Sequence, residues 1–196
     1  MPPMPPVTQA LLLINVGMFC LQFLLGFFLE RLLALWPWGF GFLPWQVVTY
    51  GFLHGSMFHL FFNMLGLWMF GSELERVWGT KRFVQFWFAC VITAGFTQLG
   101  VAAMLGSANP TVGASGGLFG LLLAFGMMFP NRTIMPLFPP IPMKAKVFVA
   151  VFGGLELLLG FLNPAGGVAH FAHLGGMVGG FLMIQHWRGR PPFGRR

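Results

Sequence analysis

Residues 105–130 read LGSANPTVGASGGLFGLLLAFGMMFP, a run of turn-forming residues that passes, without one charged side chain, into an apolar helix. Irregular backbone beside an apolar helix is tolerated at membrane depth only where it is buried in protein or lines a watery cavity. The pattern therefore predicts a short membrane helix over 113–130 that begins late, below a loop facing a cavity open to the outer side.

The rest of the chain agrees with a lipid solvent. Of 196 residues 57% are hydrophobic and only 8% charged, outside the range of a soluble globular domain. A helix needs about 17–25 apolar residues to cross a bilayer core. Six stretches fit: 8–29, 47–71, 83–105, 113–130, 146–162 and 168–187. The expectation is one all-α domain of six transmembrane helices over 1–196. No Lys or Arg precedes the first run, so it reads as a retained span and not as a signal peptide.

With an inward N-terminus, the inner side receives Arg76, Lys81, Arg82, Arg132, Lys144, Lys146, Arg188, Arg190, Arg195 and Arg196, leaving only Arg31 outside. Ten of eleven cations on one side set the orientation, with both termini cytoplasmic. The net charge of +7 then reflects topology. Dispersed over short loops, it forms no face for nucleic acid, and none is expected as a partner. Cys20 and Cys90 fall within spans, at no metal or redox spacing, and read as small lipid- or core-facing side chains.

Residues 30–46, ERLLALWPWGFGFLPWQ, carry Trp, Phe, Pro and Gly without a continuous helical pattern and predict an interfacial loop in the outer leaflet. ELERVWGTKR (73–82) and the proline-rich NRTIMPLFPPIPMKAK (131–146) read as inner loops. No internal repeat is visible, which disfavours a transporter built from inverted halves.

The polar inventory is small enough to eliminate chemistries. There is no Asp, so a pair of catalytic aspartates is excluded, and no His is followed by Glu, which excludes a His-Glu-x-x-His metalloprotease. Hydrolysis would have to use Ser and His. Ser115 lies in GASGG (113–117) at the outer start of the fourth span, where a serine among glycines is also a common packing device. His173, in GVAHFAHLGGMVGG (167–180), lies near the outer end of the sixth span, which runs parallel to the fourth. Gly176 and Gly180 fall within about 60° of His173 on one helix face, a surface without side chains that would let the fourth span approach. An interhelical hydrogen bond is the alternative role for a lone intramembrane histidine.

In HGSMFHLFFN (54–63), His59 and Asn63 share a helix face and could present donors to an oxyanion, or make a polar helix contact instead. His54 and His59, five apart, would face opposite ways on a regular helix. A metal held by His170 and His173 has no visible acidic partner, and neither metal nor cofactor is expected. His170 reads as a residue near the outer headgroups in a surface or loop hydrogen bond. Glu73, Glu75 and Glu156 are expected toward the inner side or within the fifth span, leaving His173 to be oriented by packing alone. Glu156 itself reads as a neutral hydrogen-bonded acid or a residue near the inner surface.

HGSMFHLFFN, GASG and AHLGGMVGG (172–180) together resemble the rhomboid intramembrane serine proteases, and the resemblance covers residues 45–187. It implies a six-helix rhomboid bundle with a Ser115–His173 dyad and an oxyanion hole from His59, Asn63 and the Ser115 backbone N–H. Gly113, Gly176, Gly180 and His54 would support the site, and Phe119 would stack on the His173 ring. It also implies single-pass membrane proteins as substrates, cleaved near the outer leaflet, and residence in the lipid bilayer of a bacterial cytoplasmic membrane. Trp45-Gln46 departs from the Trp-Arg common in the family, which would weaken hydrogen bonding in the loop after the first span. A catalytically silent rhomboid-like binding or quality-control factor is the alternative, and a transporter or channel a third reading.

Overall fold

A computed structural model describes residues 3–137, 140–163 and 169–189. Helix α1 covers Pro6–Leu25. Its start follows from Pro6, which has no N–H to lose, and from Glu75, whose carboxylate accepts from the backbone of Val7 at 3.0 Å and of Thr8 at 2.7 Å. The Thr8 hydroxyl adds a bond of 2.8 Å to the same carboxylate. Glu75 is thus committed to closing the first helix. The predicted first span divides at Gly26, after which α2 covers Phe27–Leu33. Helix therefore extends into the first residues of the segment expected to be loop.

The second predicted span differs most from its reading. A short α3 (Gln46–Thr49) and one 3₁₀ turn (Tyr50–Phe52) come first, and the chain is extended at Leu53. A new helix then starts as α4 (Met57–Gly66), widens into a π turn over Leu67–Gly71, and continues as α5 (Ser72–Trp78). The break is invisible in hydropathy because apolar residues flank it on both sides. Its local cause is Ser56, whose Oγ accepts from the His59 N–H at 3.1 Å and caps α4. At the other end the expected inner loop 73–82 is almost wholly helical. Only Gly79, at φ +76°, separates α5 from α6 (Thr80–Leu105).

Helices α7 (Ser115–Met128), α8 (Ala145–Leu162) and α9 (His170–Trp187) complete the helical set, with a two-residue antiparallel pair, β1 (Thr133–Ile134) and β2 (Met143–Lys144), before α8. Residue 168, the expected start of the last span, lies outside the described residues. Three of the described helices, α1, α6 and α8, are long and apolar enough to cross a membrane, and α7 is a shorter apolar helix. At about 1.5 Å per residue α7 covers only about 21 Å, short of the roughly 30 Å of a bilayer core.

The core is where α6, α7 and α9 meet, around Phe83, Phe86, Trp87 and Cys90. Cys90 is buried and Cys20 exposed. Between α7 and α9 the contact is backbone on backbone: a methyl group at Gly176 would collide with the Gly116 carbonyl, and one at Gly180 would meet Phe86 at 2.8 Å and the Gly120 Cα at 3.3 Å. Close approach of this kind is available only to small residues.

The segment after α2 exposes Trp38, Phe40 and Trp45, yet it is tightly organised from within. Gln46 is fully buried; its Oε1 accepts from Trp36 N–H (3.2 Å) and Leu43 N–H (3.1 Å), and its Nε2 donates to the carbonyl of Arg31 (3.2 Å). The weakening expected from glutamine at this position is thereby corrected, because an amide carries both a donor and an acceptor and satisfies the loop backbone alone. Leu35 and Thr111 exchange two backbone hydrogen bonds of 3.0 Å, tying this loop to the strand of chain that leads to Ser115.

Candidate active site

Ser115 is the first residue of α7, so its backbone N–H has no acceptor within the helix. The approach to it is set by Gly113, at φ +138°, where an added Cβ would lie 2.9 Å from His59 Nε2. Gly113 N–H donates to the Tyr50 carbonyl at 3.0 Å, while the buried Tyr50 hydroxyl donates to Val91 O at 2.8 Å. Tyr50, the single tyrosine of the chain, therefore pins the loop before Ser115 to α6. Sequence reasoning passed over it, since an isolated aromatic in an apolar run carries no signal of its own.

His173 Nε2 is 2.7 Å from Ser115 Oγ. With the serine hydroxyl donating, the proton of a neutral imidazole is on Nδ1. Phe119, one turn after Ser115, lies flat on the ring, with centroids 4.4 Å apart and planes 7° from parallel. The imidazole is held between this stack and the glycine contact of α7 with α9.

His59 and Asn63 line the same cavity as Ser115 and His173, whose volume is about 670 Å³. His59 Nδ1 accepts a long 3.5 Å contact from Gly55 N–H, which leaves Nε2 to carry the ring proton toward Gly113. Asn63 Nδ2 donates to the His59 carbonyl at 2.7 Å and has a second hydrogen, while its buried Oδ1 has no partner among the described residues. His54 precedes α4, so the expected opposite facing does not hold: the His54 and His59 rings meet edge to face at 5.1 Å. His54 is buried outside the cavity, held through its backbone by Gln22, and its ring reaches the site residues through the contact with His59.

The largest departure concerns Glu156. It lies within α8, one of its expected places, but beside His173 and not away from it. Its Oε2 lies 2.7 Å from His170 Nδ1 and 2.8 Å from His173 Nδ1. The His170 contact has hydrogen-bond geometry, whereas His173 Nδ1 lies close to the same oxygen without a well-aligned hydrogen bond. His173 therefore has a charged neighbour besides its packing, and His170 is not a free surface residue: its side chain is only 11% exposed and meets Glu156 on α8. The available signal was that Glu156 is the one carboxyl within a long apolar run; the facing of α8 toward α9 could not be read from either segment.

Glu156 also supplies the acidic partner missing from a His170/His173 metal pair, and the ligand atoms of all three lie within 4.8 Å of one another. Ligands about 2.0–2.2 Å from a tetrahedral zinc stand about 3.3–3.6 Å apart. The spacings of 2.7 and 2.8 Å are shorter, so the group as arranged is closed on itself.

Comparison with known proteins agrees with this architecture. The rhomboid domain family matches residues 42–188. The chain is similar to the rhomboid protease GluP of Bacillus subtilis, 31% identical over 144 residues, which are 70% of this chain and 25% of that one. It is likewise similar to the mitochondrial rhomboid protein 1 of Saccharomyces cerevisiae, 33% identical over 144 residues (70% and 40% of the two chains). The rhomboid protease GlpG of Klebsiella pneumoniae is 26% identical over 181 residues, 91% of this chain and 62% of its own. The chain thus spans less than two thirds of each of these relatives. With its apolar helices and a family match over most of its length, it is an integral membrane protein belonging to the rhomboid family of intramembrane proteases.

Proposed function

We propose that this chain is a six-span serine endopeptidase of a bacterial cytoplasmic membrane, with both termini inside, that cleaves membrane-spanning segments of single-pass proteins near the outer leaflet. The observation that carries it is the 2.7 Å contact between Ser115 Oγ and His173 Nε2 at a cavity of about 670 Å³. His173 takes the Ser115 proton as Oγ attacks the peptide carbonyl, and returns it to the leaving amine. Water then hydrolyses the acyl-enzyme with the same base. The tetrahedral oxyanion is stabilised by the Ser115 backbone N–H, His59 Nε2 and Asn63 Nδ2, each donor being worth roughly 2.7–4 kcal/mol where such holes have been dissected. A helical substrate shields its carbonyls, so segments with small or helix-breaking residues at the outer end are favoured.

A silent binding protein of the same fold would lack the nucleophile or the base, and both are present. The test is cleavage of a single-span reporter by purified protein. Ser115→Ala is expected to abolish cleavage with thermal stability unchanged, since one hydroxyl leaves a small-residue face. Cleavage that persists in this variant sinks the mechanism.

A further inference from the structure

The strongest unassigned feature is Glu156, on the face of α8 that meets α9. A carboxyl in an apolar span is costly unless its oxygens find partners, and this one has both of its close contacts with imidazoles. Its side chain is 13% exposed, so water screens it little. Packing does not require it there: neighbours Leu155, Leu157, Leu158 and Leu159 are exposed apolar residues on a helix whose surroundings are lipid.

We propose that Glu156 is a positioning residue for hydrolysis at Ser115, resting on the protease reading above. Nε2 of His173 faces the serine, so Nδ1 holds the ring proton, and this nitrogen lies 2.8 Å from Glu156 Oε2. When Nε2 takes the serine proton the ring becomes an imidazolium, with its positive charge spread over both nitrogens. The Glu156 carboxylate, 2.8 Å away, then faces a cation where before it faced a neutral ring. Interaction that strengthens as charge develops lowers the barrier, whereas equal interaction before and after would not. No proton passes to the carboxylate; its negative charge offsets that of the imidazolium. His170 shares the same oxygen through its 2.7 Å bond and so holds the carboxylate in place. The arrangement is Ser115, His173, Glu156, with the third member shared between two histidines.

The decisive comparison uses purified full-length protein, the single-span reporter and a fluorophosphonate probe. Glu156→Gln keeps shape and loses charge, and its amide can donate to Nδ1 and favour the wrong tautomer. Its kcat should fall at least about tenfold, with KM and melting temperature unchanged, and probe labelling per folded molecule should slow in parallel. Glu156→Asp keeps the charge and should retain clearly more activity than the glutamine variant. Normalising labelling to folded protein keeps the comparison valid if either variant folds in lower yield. A Gln variant within about twofold of wild type, or an Asp variant no better than Gln, overturns the proposal. So does a rise in wild-type activity on adding EDTA, which would assign the cluster to an inhibitory metal. Wild-type protein that neither cleaves nor labels would instead remove the protease reading itself, and this inference with it.

Discussion

Helices α8 and α9 are each 18 residues long, both apolar, and both contribute a side chain to the same cluster, yet they are held in opposite ways. Helix α9 is wedged between α6 and α7, with Gly175, Gly176, Gly179 and Gly180 buried against Thr97, the Gly116 backbone, Thr93 and Phe86. Helix α8 buries only Ala145, Phe148 and Gly160, and exposes large apolar residues along most of its length. In lipid, no hydrophobic force drives an apolar helix against its neighbour, so position comes from close packing or from polar contact. His173 is carried by the helix fixed through missing side chains. The carboxylate is carried by the helix whose main polar attachment to its neighbour is the Glu156 contact with His170 and His173.

The same substitution should therefore have opposite consequences on the two helices. Gly176→Ala puts a methyl group into the Gly116 carbonyl, a backbone atom that cannot turn aside. A loss of about 3 kcal/mol or more, and abolished reporter cleavage, are expected from overpacking at this point. A thermal melt in detergent checks it; a variant that melts like wild type would mean that α7 and α9 are not in backbone contact. Removing the shared partner is milder. His170→Ala leaves Oε2 of Glu156 to His173 alone, and kcat should fall less than about threefold while probe labelling persists, as a reporter assay would read. Essential His170 with dispensable His173 would reverse the assignment of the base. Smallest is Gly154→Ala on α8, where nothing lies within 4 Å of the added methyl. Its melting temperature should stay level or rise slightly, within about 1 kcal/mol, because alanine is the better helix former. Strong destabilisation there would show that this face of α8 is packed after all.

The contrast also explains what could be read from the sequence. The meeting of Ser115 with His173 was legible because each begins or nearly begins a glycine-rich apolar helix, and the glycines let α7 and α9 come together. Glu156 was not, since which face α8 turns to α9 depends on tertiary packing that hydropathy does not encode. The break at Leu53–Ser56 was hidden for a related reason: the residues on both sides are apolar, and only the short Gly55-Ser56 turn and the Ser56 cap mark it. Gln46 was misread through its departure from the common arginine, although its amide accepts from Trp36 and Leu43 N–H and donates to the Arg31 and Leu32 carbonyls, meeting the loop backbone on its own.

The most direct measurement is mass mapping of a fluorophosphonate adduct on wild-type, His173→Ala and His170→Ala proteins in detergent. An unactivated serine hydroxyl is a poor nucleophile, so the adduct should form on Ser115 in wild type, vanish in His173→Ala and remain in His170→Ala. An adduct on another serine, or undiminished labelling of Ser115 without His173, would contradict a nucleophile activated across the contact of α7 with α9.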